Sequence, residues 1–516
     1  MMRFIFILIG CTIQYNICAQ IPEDAIRYSW FPQNGTARTL AIGGTMASLG
    51  GDVSANFVNP AGIGFYKTNE LVISPAFSLN NIKTDYRSNK TTEKNNHFNL
   101  GTSGAVFAFT NSYNTEKSGA FSIGFTQNAS FNNVVHYKGL NNYSSFAEQF
   151  AEEFSGLNIS INDALNTKSI APYTVAPALY TYLIDIDTIN GRPIVKAAPE
   201  YVLESGKALL QEMTKTTKGG LYELAFSFAG NDGNKWLWGA TLGIPIVNFQ
   251  SNTLFSETDT SNDATNKFKS FTYNDNYTTK GAGINAKFGV IYRPKAYFRI
   301  GIAVHTPNYM SLTDERKSSL NTILEGPSSN ITVNSKLFTD NIERGKAAYI
   351  QSMPWRAILS AAYVFREITD VTKQRGFVSA DIEYVNHRGS RFSSNAEEPT
   401  DNDKTYYKSL NNVIKNIYKG NVNLRLGGEI KFNTIMARLG FGYYGNPYKN
   451  APEKTSKTTL STGIGYRNKG FFIDLTYVYL ISKDFDVPYR LQNLQTVYAA
   501  VNQNRGNIAA TIGFKF

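Results

Sequence analysis

Residues 507–516 alternate between two kinds of side chain, and this pattern constrains the fold more than any other feature of the chain. In an extended conformation the apolar side chains share one face and the small or polar ones share the other: Ile508, Ala510, Ile512, Phe514 and Phe516 against Asn507, Ala509, Thr511, Gly513 and Lys515. A strand needs two such faces when lipid lies on one side and a wet or plugged lumen on the other. A half-buried strand of a soluble sandwich alternates in the same way, so the fold depends on how often the pattern recurs.

The alternation recurs along most of the chain, and charged side chains fall on the inward face of nearly every copy. Charges there are costly unless the interior is wet or the charges are paired, as they can be in a barrel. The pattern predicts about 14 strands, an even number as bacterial barrels have: 69–87, 95–110, 118–139, 218–230, 234–252, 279–293, 296–308, 354–366, 375–388, 420–432, 434–445, 457–467, 469–482 and 505–516.

The connections between these segments alternate in length, as they do in outer-membrane barrels with long outer loops and short periplasmic turns. The largest connection, 140–217, contains the amphipathic stretches 142–155 and 200–213, which predict helices over the mouth, and 402–416 predicts another. We therefore predict an all-β chain, with a transmembrane antiparallel β-barrel over 69–516 and a large extracellular insertion at 140–217.

The first residues predict a signal peptide over 1–19, because Arg3 precedes a short apolar run and small residues end at Ala19. A lipoprotein cleavage box ending at Cys11 is the alternative. Cys11 and Cys18, the two cysteines of the chain, both lie in this leader, so the mature chain offers no disulfide or thiolate metal site. No other segment has ~18 consecutive apolar residues, which excludes a helical membrane protein.

Composition and motifs exclude several classes of function. The formal charge is +11, but the basic residues are interspersed with acidic ones, so nucleic acid is not an expected partner. The four histidines form no metal-ligand spacing, and the glycine fragments of the strands lack the lysine and helix of a phosphate loop. No local motif indicates a nucleophile and its base. We expect no enzyme activity, no catalytic residue, no cofactor and no metal.

Residues 20–68 do not alternate like a strand, and they predict a hatch (plug) inside the lumen. Small residues dominate this segment, which suits backbone that must approach other backbone. Asn59-Pro60-Ala61-Gly62 predicts a turn, since Pro60 presets φ and Gly62 tolerates positive φ. A periplasmic N-terminal extension is the alternative. The candidate hatch residues are Gly43, Gly44, Gly50, Gly51, Asp52, Asn59, Pro60, Ala61 and Gly62.

The stretch AIGGTMASLGGDVSANFVNPAG at 41–62, preceded by Ala37-Arg38, resembles the FadL-type outer-membrane transporters of long-chain fatty acids and aromatic hydrocarbons. The resemblance covers about 30 residues closely and the remainder only through barrel architecture and the terminal Phe516. It implies a barrel of about 14 strands with an N-terminal luminal hatch that includes the Asn-Pro-Ala segment. It also implies a kinked third strand with a lateral gap, through which apolar cargo leaves sideways into the membrane.

The polar pairs in 126–136 are the candidate site of that gap, because they interrupt the apolar alternation of the third predicted strand; ordinary lumen residues near the rim are the alternative. These residues are Gln127, Asn128, Asn132 and Asn133. The expected function is passive transport of small hydrophobic compounds, fatty-acid-like or aromatic, across the bacterial outer membrane, by binding in the lumen, rearrangement of the hatch and lateral release into the membrane. The expected partners are lipid, a hydrophobic ligand and, through the strand ending at Phe516, the barrel-assembly machinery. A docking or assembly subunit with an extracellular protein partner is the alternative function.

Overall fold

The computed structural model describes residues 22–110, 116–189, 191–261, 263–325, 330–339, 345–365, 375–451 and 455–516. The predicted signal peptide lies outside the described residues. No helix within the described ranges is long and apolar enough to cross a membrane.

Fourteen antiparallel strands form one closed barrel, as the sequence pattern predicts. Five of the strands consist of two segments each: β1, β2, β3, β7 and β8, the last interrupted around Pro354. The strands are β1 (Glu70–Ile73, Pro75–Tyr86), β2 (Asn89–Leu100, Ser103–Thr110), β3 (Ser118–Ser130, Asn133–Asn141), β4 (Leu209–Asp232), β5 (Trp236–Asp259), β6 (Phe268–Lys295), β7 (Phe298–His305, Tyr309–Leu324), β8 (Lys346–Ser352, Arg356–Phe365), β9 (Gly376–Asn386), β10 (Gly420–Phe432), β11 (Ile435–Tyr444), β12 (Ser456–Asn468), β13 (Phe471–Asp486) and β14 (Ala499–Lys515).

The last strand closes the barrel against the first. Glu70 pairs with Lys515 and Ala76 pairs with Ala509, so β14 lies between β13 and β1. The backbone of Phe516 exchanges two hydrogen bonds of 3.1 Å with Asn69. Closure of this kind removes the free sheet edges that a barrel wall could not expose to lipid.

The two faces of the wall differ as the alternation predicts. Large apolar side chains point outward and remain exposed, among them Leu439 at 69% and Ile464 at 62%. The charged side chains of the same strands, such as Arg425 and Asp474, point inward and are buried. An apolar exterior around a polar interior is the arrangement of a membrane-spanning barrel.

The helices lie inside the lumen and at the long-loop end. Short helices occur in the N-terminal segment, and the others belong to the insertion between β3 and β4 and to the connection between β9 and β10: α1 (Asp24–Arg27), α2 (Ala37–Ala41), α3 (Ala55–Val58), α4 (Glu148–Leu157), α5 (Ile161–Ala164), α6 (Val175–Tyr180), α7 (Pro199–Glu204) and α8 (Asp401–Ile417), with 3₁₀ turns at Pro60–Phe65, Ser335–Phe338 and His387–Gly389. Short additional strands are Ile184–Ile189, Arg192–Ala197, Asn330–Asn334 and Arg391–Ser394.

The structure corrects several predicted bounds at the long-loop end. The helix predicted over 200–213 ends at Glu204, and β4 already begins at Leu209. The helix predicted over 142–155 begins only at Glu148. The loops predicted at 253–278 and 309–353 are largely strand, because β5, β6 and β7 continue past the apolar belt. Beyond that belt both faces of a strand meet water or protein, so the alternation that marks the wall is lost.

The insertion packs over the barrel mouth around an aromatic cluster. Phe146 stacks on Phe255 with ring centroids 4.2 Å apart, and Phe150 lies at the edge of Tyr273. Inside this cluster the buried Glu257 carboxylate accepts bonds from Phe146 N at 2.7 Å and from the side chain of Gln211 at 2.6 Å. The mouth is therefore a packed cap built on the strand extensions.

Two carboxyl groups of this cap make its stability depend on pH. Burial raises the pKa of Glu257 to about 7, and burial also raises the pKa of Glu148 to about 7. Their folded-state pKa values exceed the ordinary value of about 4.3, so stability is complete below that value and is lost as pH rises through about 7. We expect protection of the 144–157 backbone from hydrogen exchange to fall by about tenfold or more between pH 5 and pH 8. The ratio of wild-type to E257Q protection at each pH isolates the Glu257 contribution; a ratio that does not change with pH contradicts it.

Candidate functional site

The N-terminal segment fills the lumen from one end of the barrel to the other. Near its start, Pro22 O accepts a 3.0 Å bond from the Tyr418 hydroxyl, directly after α8 at the long-loop end. Near its end, Gly64 lies against the backbone of Gly230, close to the short turn between β4 and β5. The described part of the segment predicted as a hatch, 22–68, therefore lies within the barrel.

Four of the candidate hatch glycines adopt backbone conformations that other residues rarely tolerate. Gly43, Gly44, Gly50 and Gly51 have φ between 65° and 81°. Gly50 also packs against Gly62, where a Cβ on either residue would lie within 3 Å of the other's backbone. Because of these glycines, the segment can fold back on itself within the narrow lumen of the barrel.

Asp52 holds the turn that joins α2 to α3. Its carboxylate accepts a 2.8 Å bond from the Thr36 hydroxyl and a 2.9 Å bond from Ser54 N. The Ser54 hydroxyl in turn accepts a 2.9 Å bond from Thr36 N. These bonds provide the buried Asp52 carboxylate with hydrogen-bond donors from within the hatch, as burial requires.

The Asn59-Pro60-Ala61-Gly62 segment binds the hatch to the barrel wall. The Asn59 side-chain oxygen Oδ1 accepts a 3.1 Å bond from Ala61 N, and the side-chain Nδ2 donates to Ala47 O at 2.5 Å. The same amide lies 3.4 Å from Val290 O and from Ile302 O, on strands β6 and β7. Asn59 therefore caps the following 3₁₀ turn and joins hatch and barrel.

Glycines of the barrel wall receive the hatch, and sequence reasoning did not identify them. A Cβ on Gly289 would lie 1.8 Å from the Asn59 side-chain oxygen, and one on Gly301 would lie 2.0 Å from Ala47 O. A glycine inside a strand has several causes, so the sequence alone does not separate a docking position from a bulge. Further wall glycines in contact with hatch atoms are Gly239, Gly427, Gly440 and Gly463.

Buried ion pairs hold the opposite wall to the hatch. Arg425 on β10 lies 3.2 Å from the Glu383 carboxylate and 3.6 Å from that of Asp381, both on β9. The Asp381 carboxylate also accepts bonds from the backbone N–H groups of Met46 and Ala47 in the hatch, at 3.2 and 3.4 Å. These inward charges of the wall are therefore paired, and Asp381 also binds the hatch backbone.

A second group of charges includes a hatch side chain. Arg438 on β11 pairs with Glu429 at 2.6 Å and with the buried Asp474. Arg38 of the hatch lies 3.8 Å from the same Glu429 carboxylate and donates a 3.0 Å bond to Gly51 O. These bonds fix the turn between α2 and α3 against the wall.

The third strand is broken where the sequence places its polar pairs. Its lower segment ends at Ser130 and its upper segment begins at Asn133, with a register shift against β4 between Gln127 and Ala129. The break is held by Gly219 of β4, whose N–H donates a 3.1 Å bond to the Asn132 side-chain oxygen. Gly219 has a φ of 103°, which a residue with a side chain rarely adopts.

Above this break, side chains replace the backbone ladder between β2 and β3. Backbone pairing between β2 and β3 extends from Thr110, opposite Ser118, to Ser103, opposite Phe125. Within the described ranges, residues 89–100 of β2 pair with β1 and with no other strand. Leu100 N instead donates a 3.0 Å bond to the Gln127 side chain. We call this interval between 89–100 and 127–141 the seam.

Neutral polar side chains close most of the seam. The Asn80 amide donates a 3.0 Å bond to the Asn133 side chain, and the Ser130 hydroxyl lies 3.1 Å from His97 Nε2. Asn89 donates a 2.9 Å bond to Lys138 O. Side-chain bonds of this kind can separate without breaking a strand ladder.

A cavity of about 420 Å³ lies between the hatch and the seam. All four candidate seam residues and the hatch residues Gly43 and Gly44 line it. The other candidate hatch residues do not line it. The remaining lining mixes amide, aromatic and charged side chains, among them Phe131, Phe249, Asp484 and Arg505.

No family model matches the chain. No curated protein matches it either. Among solved structures, a Pseudomonas aeruginosa FadL homologue aligns with a TM-score of 0.51 and 12% identity, over 95% of this chain and 100% of that one. The P. putida toluene transporter TodX aligns with a TM-score of 0.50 and 12% identity, over 94% of this chain and 99% of that one.

These similarities establish the fold that the 41–62 motif predicts: a FadL-type barrel with an N-terminal plug. The fold and the apolar exterior make the chain a β-barrel of the bacterial outer membrane.

Proposed function

We propose that this protein is a passive transporter that takes small amphipathic compounds from outside and releases them sideways into the outer membrane. The observation that carries this proposal is the position of the cavity, which touches both the hatch and the seam. The two solved proteins of the same fold support transport in general, since one is a FadL homologue and the other is a toluene transporter.

The lining of the cavity favours a cargo with an apolar body and an anionic head. Phe131 and Phe249 lie edge to face with centroids 5.5 Å apart and offer an apolar surface next to the break in β3. Arg505, from β14, lines the same cavity and has no acidic partner among the described residues. A fatty-acid-like cargo would place its carboxylate at Arg505 and its apolar chain against Phe131 and Phe249, towards the seam.

Release through the seam is favoured over passage along the full lumen. The hatch fills the lower lumen and binds the wall through Asn59 and Asp381, so a straight path would require the whole hatch to leave. Lateral release needs only a local rearrangement of the hatch beside the cavity, which Gly43 and Gly44 line. Each CH₂ moved from water to lipid gains ~0.8 kcal/mol, and a lateral exit delivers the chain to lipid directly. The seam, which lacks a ladder in the described part of the chain, is the weakest part of the wall.

Crosslinking the seam tests the exit route. In N80C/N133C a bis-maleimide would replace the 3.0 Å bond between the native side chains by a covalent tie. We expect transfer of dodecanoate into proteoliposomes to fall by at least about tenfold, which requires only ~1.4 kcal/mol of added barrier. The uncrosslinked double variant should transport normally.

The matched control places the same crosslink elsewhere in the wall. N252C/N276C joins β5 and β6 at directly paired positions, where the native Asn252 amide donates a 2.7 Å bond to the Asn276 side chain, away from both the hatch and the cavity. Transport should be unchanged there after crosslinking. If N80C/N133C transports equally well before and after crosslinking, lateral release is contradicted. If proteoliposomes take up dodecanoate no faster than liposomes without protein, transport itself is contradicted.

A further inference from the structure

One imidazole bridges three strands at the seam. His136, on the upper segment of β3, places Nδ1 3.1 Å from the Glu93 carboxylate of β2 and Nε2 2.8 Å from the Glu212 carboxylate of β4. Its own backbone carbonyl accepts bonds from the hydroxyls of Thr84 and Thr91. His136 is thus in contact with the β1–β2 hairpin on one side and with β4 on the other.

The chemistry of these partners assigns a protonation state to the bridge. An ionised carboxylate can only accept hydrogen bonds, and a neutral imidazole has a single N–H to donate. Both ring nitrogens can donate only in the imidazolium form. With an ionised carboxylate at each ring nitrogen, both bonds of the bridge form only when the imidazole carries both protons.

The bridge spans the interval that has no backbone ladder. The upper segment of β3 is joined to β4 by a continuous ladder, in which Asn133 pairs with Thr217 and Asn141 pairs with Leu209. The contact of His136 with Glu212 therefore lies within an intact sheet. The contact with Glu93 crosses the seam and, among the described residues, is the ionic one there. The charged groups in contact with the bridge are Glu93 of β2 and Glu212 of β4. Elsewhere on β3, the Asn141 side chain at the upper end binds Arg87 of the β1–β2 turn, and Ser130 at the break contacts His97 of β2.

We propose that His136 is a proton-operated latch on the seam. The imidazolium ties Glu93 to Glu212 and keeps the seam closed. Loss of the proton removes one of the two charge-assisted bonds, and the β1–β2 hairpin can then move away from β3. Histidine is the side chain that ordinarily changes charge between pH 5 and pH 8. This inference rests on the proposed function, because it takes the seam to be the exit.

Transport measured against pH tests the latch. The probe is an alkyl sulfonate in phosphatidylcholine proteoliposomes, because its charge is constant over this range. We expect the initial rate of wild-type transport to rise about tenfold from pH 5 to pH 8, the change expected when one charge-assisted bond of the closed seam is lost. H136Q cannot carry the charge, so its rate should be high and independent of pH.

The second histidine of the seam supplies the matched control. His97 contacts the Ser130 hydroxyl and makes no ion pair in the described part of the chain, so H97Q should retain the wild-type pH profile. A wild-type rate that does not change with pH, or an H136Q profile that follows the wild type, would overturn the latch while leaving transport intact.

A structural measurement tests the latch even if the barrel transports nothing. Thr92 of β2 and Lys138 of β3 are exposed, so T92C/K138C can carry two spin labels across the seam. We expect a longer and broader distance distribution at pH 8 than at pH 5, and none of this change in the H136Q background. Identical distributions at the two pH values would refute the latch, whereas a change without any transport would refute the proposed function alone.

Discussion

Joining the hatch to the wall by a disulfide should abolish transport. The Ser48 hydroxyl of the hatch lies 2.6 Å from the Ser360 hydroxyl of β8, so S48C/S360C places two thiols within reach of each other. With the bond formed, the hatch backbone around 46–48 cannot leave Asp381. We expect dodecanoate transfer to fall by at least about tenfold, since a barrier ~1.4 kcal/mol higher has that effect.

The redox state and the single variants provide the controls. Cys11 and Cys18 fall in the predicted signal peptide, so the introduced pair should be the only thiols of the mature chain. Reduction should restore transport, and S48C or S360C alone should transport under oxidising conditions. Normal transport by the fully oxidised pair would show that the hatch stays in place while cargo passes.

Removing the Arg425 side chain should have the largest effect on stability. Arg425 is 1% exposed in its ion pairs, and R425M would leave the buried carboxylates of Asp381 and Glu383 without their main cation. Breaking a buried pair by removing one partner costs about 3–5 kcal/mol, because the remaining charge is not compensated. We expect a fall of that size in the free energy of unfolding, measured by urea titration of the refolded protein in lipid vesicles.

Two further variants separate the charge from the side-chain volume. R425M/D381N/E383Q removes the orphaned charges as well, so it should regain much of the lost stability. K404M breaks an exposed pair with Asp401 on α8 and should change stability by less than about 1 kcal/mol. If R425M were as stable as K404M, the wall charges would not be what holds the hatch in place.

The strands of the wall could be predicted because lipid and lumen impose opposite demands on successive residues. Ile512 and Phe514 are exposed and Thr511 and Gly513 are buried, as the alternation at the end of the chain requires. In the parts of the strands that extend past the membrane, lipid no longer requires an apolar outer face, so the alternation is lost. The sequence of residues 209–217 predicts a helix or a loop, but these residues form a regular strand that pairs with the upper segment of β3.

The candidate site was only partly predictable for a different physical reason. The hatch motif and the polar pairs of β3 are local in sequence, and the structure shows Asn59 on the wall and the break at 131–132. The partners of these groups are distant in sequence. Asn80 meets Asn133, and Gly289 receives Asn59, through contacts that only the closed barrel creates.

Photocrosslinking at the outer wall shows whether cargo enters the membrane through the seam. A photoreactive residue replaces Phe98, which is 77% exposed on β2 beside the seam, or Leu439, which is 69% exposed on β11. With a labelled alkyl carboxylate added outside and a brief flash, the account predicts early labelling at position 98 well before position 439. Equal labelling at the two positions from the first time point would contradict it.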